Sequence, residues 1–398
     1  MIQLEGMAMN KGKSVFSQLM EFLPHYEFQR CVAKYKGEYK VKNFSCMDHF
    51  LTMSFAQLTY RESLRDTIAC LNAAEQKLYH MGIRTKPTRN NLAHANANRD
   101  WRIYQEFAMV LIRKATQLYE GTPLDSEYNL QETVYALDST TIDLCLSLFP
   151  WAKFRKHKGA VKLHTLLELR STMPQVIYMT HGKVHDVRIL DRLILEPGAI
   201  YVMDKAYVDF GRLYRFCNEM ATYVTRAKKN FDYSRIKSLP KNKKSGIYAD
   251  QIVNLNGVAV SKKYPTPLRR ISFRELETGK HFVFLTNNFH LPAETIAFLY
   301  SCRWRIEIFF RWIKQNLRIK SFFGTTPNAV KTQIWIAVAT YALVVIVKKQ
   351  LGLTESLYTI FQILSIVIFE KEPVNHIVTS NKNKIIDSES YKQLMLFD

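Results

Sequence analysis

The alternation of helix-like and strand-like segments is the feature that most restricts how this chain folds. Residues 15–119 follow a helical pattern, with capping signals ahead of apolar stretches. Beyond residue 130 the chain contains short β-prone runs, at 133–137, 161–169, 175–180, 200–203 and 222–225. A helical stretch, 187–195, separates the third run from the fourth. The order of three strands, helix, strand, helix and strand predicts a mixed α/β sheet.

Later segments suggest an insertion followed by a return to helices. More β-prone pieces, which end at 281–286, interrupt the alternation with what we expect to be antiparallel strands, and the chain is helical again from Pro292. We predict an all-helical N-terminal domain (1–125), the first part of an α/β core (130–228), a β-rich insertion (229–290), a C-terminal helical part of that core (291–370) and a polar tail (371–398).

The charge of the chain indicates a polyanionic partner. Its formal net charge is +21, spread through the sequence, which suits nucleic acid first and an acidic membrane surface second. The basic N-terminal domain is predicted to read DNA, and the alternative is a basic packing domain. Residues 226–244 contain eight Lys or Arg residues and one acid, so we expect Lys241, Lys243 and Lys244 to contact DNA, although such charge runs are usually solvated surface.

Cysteine spacing and the apolar segments predict a cytoplasmic protein with no membrane partner. The six cysteines are widely spaced, as reduced cysteines of cytosolic proteins are. No apolar segment typical of a signal peptide is seen near the N-terminus. The longest apolar run, residues 334–347, is 14 residues long, too short to span a bilayer comfortably, and is predicted to be a buried helix.

Three acidic residues are placed where a metal-dependent phosphoryl-transfer site would need them. Asp138 directly follows the first β-prone run, Asp204 follows the fourth, and Glu307 falls in a long helix. Two Mg²⁺ ions held by such carboxylates can activate an attacking oxygen and stabilise the leaving oxygen of a phosphodiester. Any single Asp after a strand is more often a cap or turn residue.

The helix around Glu307 strengthens this interpretation. Helical spacing puts Tyr300, Arg303, Glu307, Arg311 and Lys314 on one side, next to a separate apolar face. A lone Glu among basic residues is what a metal ligand flanked by phosphate-binding side chains would look like. The alternative is a solvated charged face.

These residues carry a family resemblance. Tyr300, Arg303, Glu307 and Lys314 match the Y-R-E-K signature of the DDE transposases of insertion-sequence family four, and residues 137–140 (LDST) and 204–207 (DKAY) resemble the two aspartate motifs of that family. The resemblance implies a ribonuclease-H-like core with a β-rich insertion, in which Asp138, Asp204 and Glu307 bind two Mg²⁺ ions, with Mn²⁺ as a substitute. It also implies that Tyr300, Arg303 and Lys314 hold phosphates, with Arg311 as a further basic residue.

The resemblance extends to a base-stacking position and to function. Relatives place a Trp in the strand before the glutamate helix, where it stacks on a flipped base; alignment puts Phe282 there, which retains an aromatic face. The implied activity is binding of the inverted-repeat ends of an insertion sequence, cleavage, and strand transfer to target DNA by a homodimer at the bacterial nucleoid. A catalytically silent DNA-binding protein of the same descent and a nuclease without strand transfer are the alternatives.

The last residues suggest a separate contact. Gln393, Leu394, Leu396 and Phe397 resemble the short peptide by which bacterial proteins dock on the replication sliding clamp. The alternative is packing of these side chains on the protein itself or on a dimer mate.

Overall fold

A computed structural model describes residues 12–125, 127–128, 130–156, 158–316 and 322–379, apart from the side chains of 315 and 316. The chain forms two compact units: residues 1–119 with 312–398, called the helical unit below, and residues 120–311, called the sheet unit. The predicted domain limit at 125 lies close to the first of these borders. The predicted C-terminal helical segment, 291–370, is divided between the two units.

Helices form where the sequence pattern predicts them in residues 15–119. Their starts are fixed by local capping: the Ser45 side chain accepts from the Asp48 amide, and Asp48 reaches back to the Ser45 amide in a capping box. The helices are α1 (Val15–Met20), α2 (His25–Lys34), α3 (Cys46–Leu58), α4 (Leu64–Ala73), α5 (Arg89–Asn98), α6 (Arg102–Leu118), α7 (Phe210–Asn218), α8 (Val258–Lys263), α9 (Ala293–Cys302), α10 (Trp304–Asn316), α11 (Pro327–Gln350) and α12 (Leu357–Val367).

Helix α11 is the centre of the helical unit. By length and composition it could cross a membrane, but its apolar side chains are buried against α6, α3 and α5. Thr326 caps its start and Pro327 occupies its first turn, where a missing N–H costs nothing. The predicted buried helix at 334–347 is therefore confirmed, as part of a longer helix.

The sheet unit is built on one mixed sheet. Its strands are β1 (Val134–Leu144), β2 (Lys153–Arg155), β3 (Lys158–Glu168), β4 (Met173–His181), β5 (Ile200–Met203), β6 (Thr222–Arg226), β7 (Tyr233–Ser238), β8 (Ile247–Leu255), β9 (Leu268–Arg274) and β10 (His281–Thr286). The order is β3, β1, β5, β6, β10, β9, β8, β7, with β2 and β4 on the other edge of β3. Antiparallel β4, β3 and β1 followed by parallel β5 and β6 give the ribonuclease-H-like arrangement, which confirms the predicted fold class.

The β-rich insertion continues the same sheet. Strand β10 pairs antiparallel with β6, and β9, β8 and β7 follow as antiparallel neighbours, as expected. The helical stretch predicted at 187–195 is present as a 3-10 helix, Asp186–Arg192. Its start lacks a side-chain cap, which leaves the costly first turn of an α-helix without support.

Candidate active site

The parallel pairing of β1 with β5 brings two aspartates side by side. Leu137 pairs with Met203, so the next residues, Asp138 and Asp204, occupy matching positions. Strand β5 ends there, as predicted for Asp204. The prediction that Asp138 directly follows its strand is wrong, because β1 continues to Leu144 in a long antiparallel ladder with β3. Asp138 instead lies inside β1, at the position where the neighbouring strand β5 ends.

Arg303 connects Glu307 to Asp138. The expected long helix is broken at Arg303, between α9 and α10. The Arg303 guanidinium binds both acids, with Nη1 2.8 Å from Asp138 Oδ2 and Nη2 2.5 Å from Glu307 Oε1. The Arg303 side chain is only 15% exposed, so this contact is shielded from solvent. The structure therefore gathers one aspartate and the glutamate around one cation.

A second arginine, Arg226, binds Asp204. No motif in the sequence identified it as a site residue. Arg226 Nη2 lies 2.7 Å from Asp204 Oδ2, and the Ala206 amide donates to Asp204 Oδ1 at 3.2 Å. Arg226 ends β6, which runs parallel to β5, so both side chains lie at the carboxyl ends of adjacent strands. That shared position is the signal by which the sequence could have identified Arg226.

Aromatic rings form a wall beside these ion pairs. Tyr300 and Phe284 have centroids 4.9 Å apart, and Phe282 lies 6.4 Å from Tyr300. The Arg226 guanidinium carbon is 5.7 Å from the Tyr300 centroid and 5.9 Å from that of Phe282, within cation–π range. Phe282 thus lies in the strand before the glutamate helix, as expected, and next to the arginine that holds Asp204.

Burial is the main influence on the charge state of Asp138. Burial raises its pKa, the Ser139 amide and Arg303 oppose the change, and the Asp204 and Glu307 carboxylates add to it, so that the pKa is about 6. Burial also raises the pKa of the Tyr300 hydroxyl, while the neighbouring Arg303 and Arg226 oppose the change. Tyr300 is therefore a neutral, buried donor beside the ion pairs.

A polar cluster behind β1 supports Asp138. The Ser139 amide donates to Asp138 Oδ1 at 2.8 Å, and the Ser139 hydroxyl is 2.5 Å from Asp186 Oδ1. Lys162 Nζ donates to that same oxygen at 3.1 Å, and His164 Nδ1 lies 3.6 Å from it. Burial lowers the pKa of His164 to about 4, so its ring is neutral at pH 7. No local motif pointed to this cluster, because its members come from separate segments.

The donor set suits a hard divalent cation, although the present geometry is not a finished metal site. Within the described ranges no group of three or more His, Cys, Asp or Glu side chains is arranged to hold a metal ion. Two guanidinium groups instead pair with the three carboxylates. Mg²⁺ and Mn²⁺ prefer oxygen ligands, and carboxylates are among them. The donor types of the three residues therefore fit such ions.

The other predicted contacts are spread over the surface. Arg311 is exposed and lies over the Trp304 ring, 6.0 Å from its centroid, and Lys314 is exposed on the same helix but belongs to the helical unit. Lys241, Lys243 and Lys244 are exposed on the connection between β7 and β8. The predicted clamp-binding residues 393–397 lie outside the described residues.

Comparison with known proteins places these features in a family context. Residues 129–343 match the family model described as Transposase DDE domain, and residues 11–84 match a Domain of unknown function (DUF4372). The chain is 32% identical over 292 residues to the putative transposase y4zB of Sinorhizobium fredii, spanning 72% of this chain and 79% of that protein. It is 24% identical over 197 residues to the transposase InsG for insertion sequence element IS4 of Escherichia coli, covering 46% and 43%.

A solved structure also resembles the chain. It is the piggyBac transposase synaptic complex with hairpin DNA, determined by cryo-electron microscopy, with a TM-score of 0.44 and 10% identity over 95% of this chain and 79% of that one.

Proposed function

Since this chain belongs to the Transposase DDE domain family and is an insertion-sequence transposase of the IS4 kind, we propose that it binds the inverted-repeat ends of its element, cleaves the DNA and joins the freed 3′-hydroxyl to target DNA. The observation that carries the proposal is the meeting of Asp138, Asp204 and Glu307 at the end of β5 and the start of α10, each bound by an arginine. Double-stranded DNA, as transposon end and as target, is the partner.

Asp138, Asp204 and Glu307 would hold two divalent ions, Mg²⁺ or Mn²⁺. Such ions would supply activation of the attacking oxygen and stabilisation of the leaving oxygen of the phosphodiester. The long antiparallel pairing of β1 with β3 and the Ser139 amide fix the Asp138 side chain. The Asp138 carboxylate is therefore held in a defined position by its strand.

Arg303 and Arg226 bind first carboxylates and then phosphates in this proposal. Without DNA they pair with the three carboxylates, and they transfer to phosphate oxygens when the DNA end binds. A guanidinium binds phosphate oxygens as well as carboxylate oxygens, so each hydrogen bond to an acid can be replaced by one to the DNA backbone. Tyr300 lies beside both arginines, where its hydroxyl would donate to a phosphate oxygen of the same DNA end.

Phe282 provides the surface for a base displaced from the DNA end. It is partly exposed, whereas the neighbouring Phe284 is 1% exposed and packs under Tyr300. Stacking on an aromatic face tolerates any base, so the contact adds affinity without sequence preference. Two ends must be paired before joining, which makes a homodimer the working form.

The deciding experiment incubates the full chain with duplexes carrying the terminal inverted repeats of its element, a target plasmid and Mg²⁺. Joined products establish transposase activity, and cleavage without joining indicates a nuclease. Binding to the ends without either reaction indicates a silent DNA-binding protein. The matched control replaces Asp143, an exposed acid on the same strand β1, with Ala, and its products should equal those of the unmodified chain.

A further inference from the structure

Helix α5 of the helical unit exposes an unusual set of polar side chains. Asn90, Asn91, His94 and Asn98 are exposed, while Leu92 and Ala95 are buried on the opposite side. Solvated helix faces are normally covered by Lys, Glu and Arg, which favour helices, whereas each Asn costs up to about 0.7 kcal/mol relative to Ala. The helix therefore keeps amide groups on its surface in spite of their effect on helix stability.

Several contacts within the helical unit hold α5 rigidly. The Thr88 side chain accepts from the Asn91 amide and caps its start. At the other end, Asn96 Oδ1 lies 2.9 Å from His49 Nε2, and Asn328 Nδ2 donates to the Asn96 and Arg99 carbonyls at 2.9 and 2.6 Å. Because α3 and α11 fix its buried side, α5 presents the exposed side chains in one defined orientation.

The exposed face of α5 forms one wall of a groove of about 580 Å³. The other wall is the loop after α2, which contributes Lys36, Lys40 and Lys42, all exposed. Lys36 and Lys40 have positive φ values of 52° and 57°, a conformation that costs energy for residues other than Gly and that turns the loop sharply. Asp100 is the acid that lines this groove, and Arg102 neutralises it at 2.6 Å.

Building on the proposed function, we propose that the two walls of this protein groove bind the double-stranded transposon end. The α5 wall reads base pairs in the major groove of the DNA. Asn91 and His94 on α5 contact base edges, and Lys36, Lys40 and Lys42 bind the flanking phosphates. An Asn amide matches the donor and acceptor pair that adenine shows in the major groove, and Lys binds phosphate as a point charge. The two residue types lie on separate walls, which an acidic protein partner would not require.

In this arrangement the residues that contact bases are separate from those that attract phosphates. Substitutions can therefore remove either kind of contact without the other. Asn91→Ala and His94→Ala should each reduce the preference of the full chain for inverted-repeat duplex over random duplex by about fivefold or more. Their affinity for random duplex should stay within twofold. Lys36→Gln, Lys40→Gln and Lys42→Gln together should weaken binding to both duplexes alike and flatten the salt dependence.

Asn90→Ala is the matched control, because Asn90 is an equally exposed Asn of α5 that does not line the groove. It should leave both affinities unchanged, and thermal unfolding should confirm that all variants remain folded. If the unmodified chain prefers the ends and Asn91→Ala with His94→Ala keeps that preference, this inference fails while the proposed function stands. If the unmodified chain shows no preference for the ends, both fail. Tighter binding to single-stranded ends than to duplex would also overturn it.

Discussion

Arg303 Nη1 lies 2.8 Å from Asp138 Oδ2, and the same guanidinium binds Glu307, so a single side chain covers two of the three candidate metal ligands. The positive charge stands where a divalent cation would have to bind. Access of metal to the acids is therefore linked to the position of this arginine.

The link predicts that Arg303→Ala tightens Mn²⁺ binding to the DNA-free protein roughly tenfold or more, because a guanidinium in direct contact opposes a second cation by a few kcal/mol. Isothermal titration calorimetry measures this directly. Arg303→Lys keeps the charge and Arg311→Ala removes an arginine of α10 that lies over Trp304, so both should resemble the unmodified protein. Unchanged affinity in Arg303→Ala would show that the arginine does not compete with metal.

Asp138→Ala, Asp204→Ala and Glu307→Ala should each lower the rate of end cleavage by about a thousandfold or more, since loss of a metal ligand removes several kcal/mol of transition-state stabilisation. Binding to the ends should survive, because the substitutions leave the basic surface in place. Gel assays of cleavage and binding on the same preparations separate the two effects. Near-normal strand transfer by any one variant would remove that residue from the site.

The stability of the fold should depend on His164 in acid. Burial lowers its folded pKa to about 4, below the unfolded value of 6.5, so the unfolded chain binds more protons between these values. The contribution of His164 to the free energy of unfolding should fall as the pH drops from about 6.5 to about 4, whereas Asp138, whose folded pKa is raised to about 6, contributes with the opposite sign below that pH. Urea titrations at several pH values give the free energy of unfolding as a function of pH. The slope of this free energy against pH should be smaller for His164→Gln and unchanged for His185→Gln, an exposed control. Equal slopes in all three proteins would argue against a neutral buried His164.

Replacing Lys241, Lys243 and Lys244 with Gln should weaken binding to specific and random duplexes alike and reduce the salt slope by up to about three. Fluorescence anisotropy at several salt concentrations gives both quantities. Lys262→Gln with Lys263→Gln, in the same insertion but at the end of α8, serves as the control. A loss confined to one DNA sequence would point to base reading instead.

A peptide of residues 388–398 should bind a bacterial sliding clamp in the micromolar range, about −8 kcal/mol. Hydrophobic pockets on such a ring would take the Leu396 and Phe397 side chains, so replacement of both with Ala should abolish binding. Fluorescence polarisation tests this. Protection of the tail from protease in the isolated protein, with no peptide binding, would favour packing on the protein itself.

The sequence predicted the fold most reliably where a strand or helix is marked by its own residues. The strand 200–203 was predicted with its observed limits, because it is a short, fully buried apolar run before Asp204. The first strand was predicted to end at 137, seven residues too early, since residues 138–143 are polar or β-branched and do not continue the apolar run, and they are held in the sheet by β3. Pairing between distant segments, rather than local preference, decides such an extension.

The candidate site shows the same limit. Asp138, Asp204 and Glu307 were found from motifs, but the contact of Arg303 with two of them depends on a break between α9 and α10 that helical spacing does not reveal. Arg226 meets Asp204 because β5 and β6 are neighbours in the sheet, and His164 and Asp186 reach Ser139, next to Asp138, because β1 pairs with β3. Side chains that act through tertiary pairing leave no periodic trace in the sequence.

The continuation of the sheet through β10 has a consequence for how the inserted block can vary in length. Phe284 pairs with Arg226 across the β10–β6 ladder, so the distance from Phe282 to the acids is set by hydrogen-bonded registration between neighbouring strands. The hairpin that carries Lys241 connects β7 and β8, and β7 is the outermost strand on that side. Residues added or deleted at that hairpin leave the registration untouched, whereas a single residue gained inside β10 would turn Phe282 to the opposite face of the sheet.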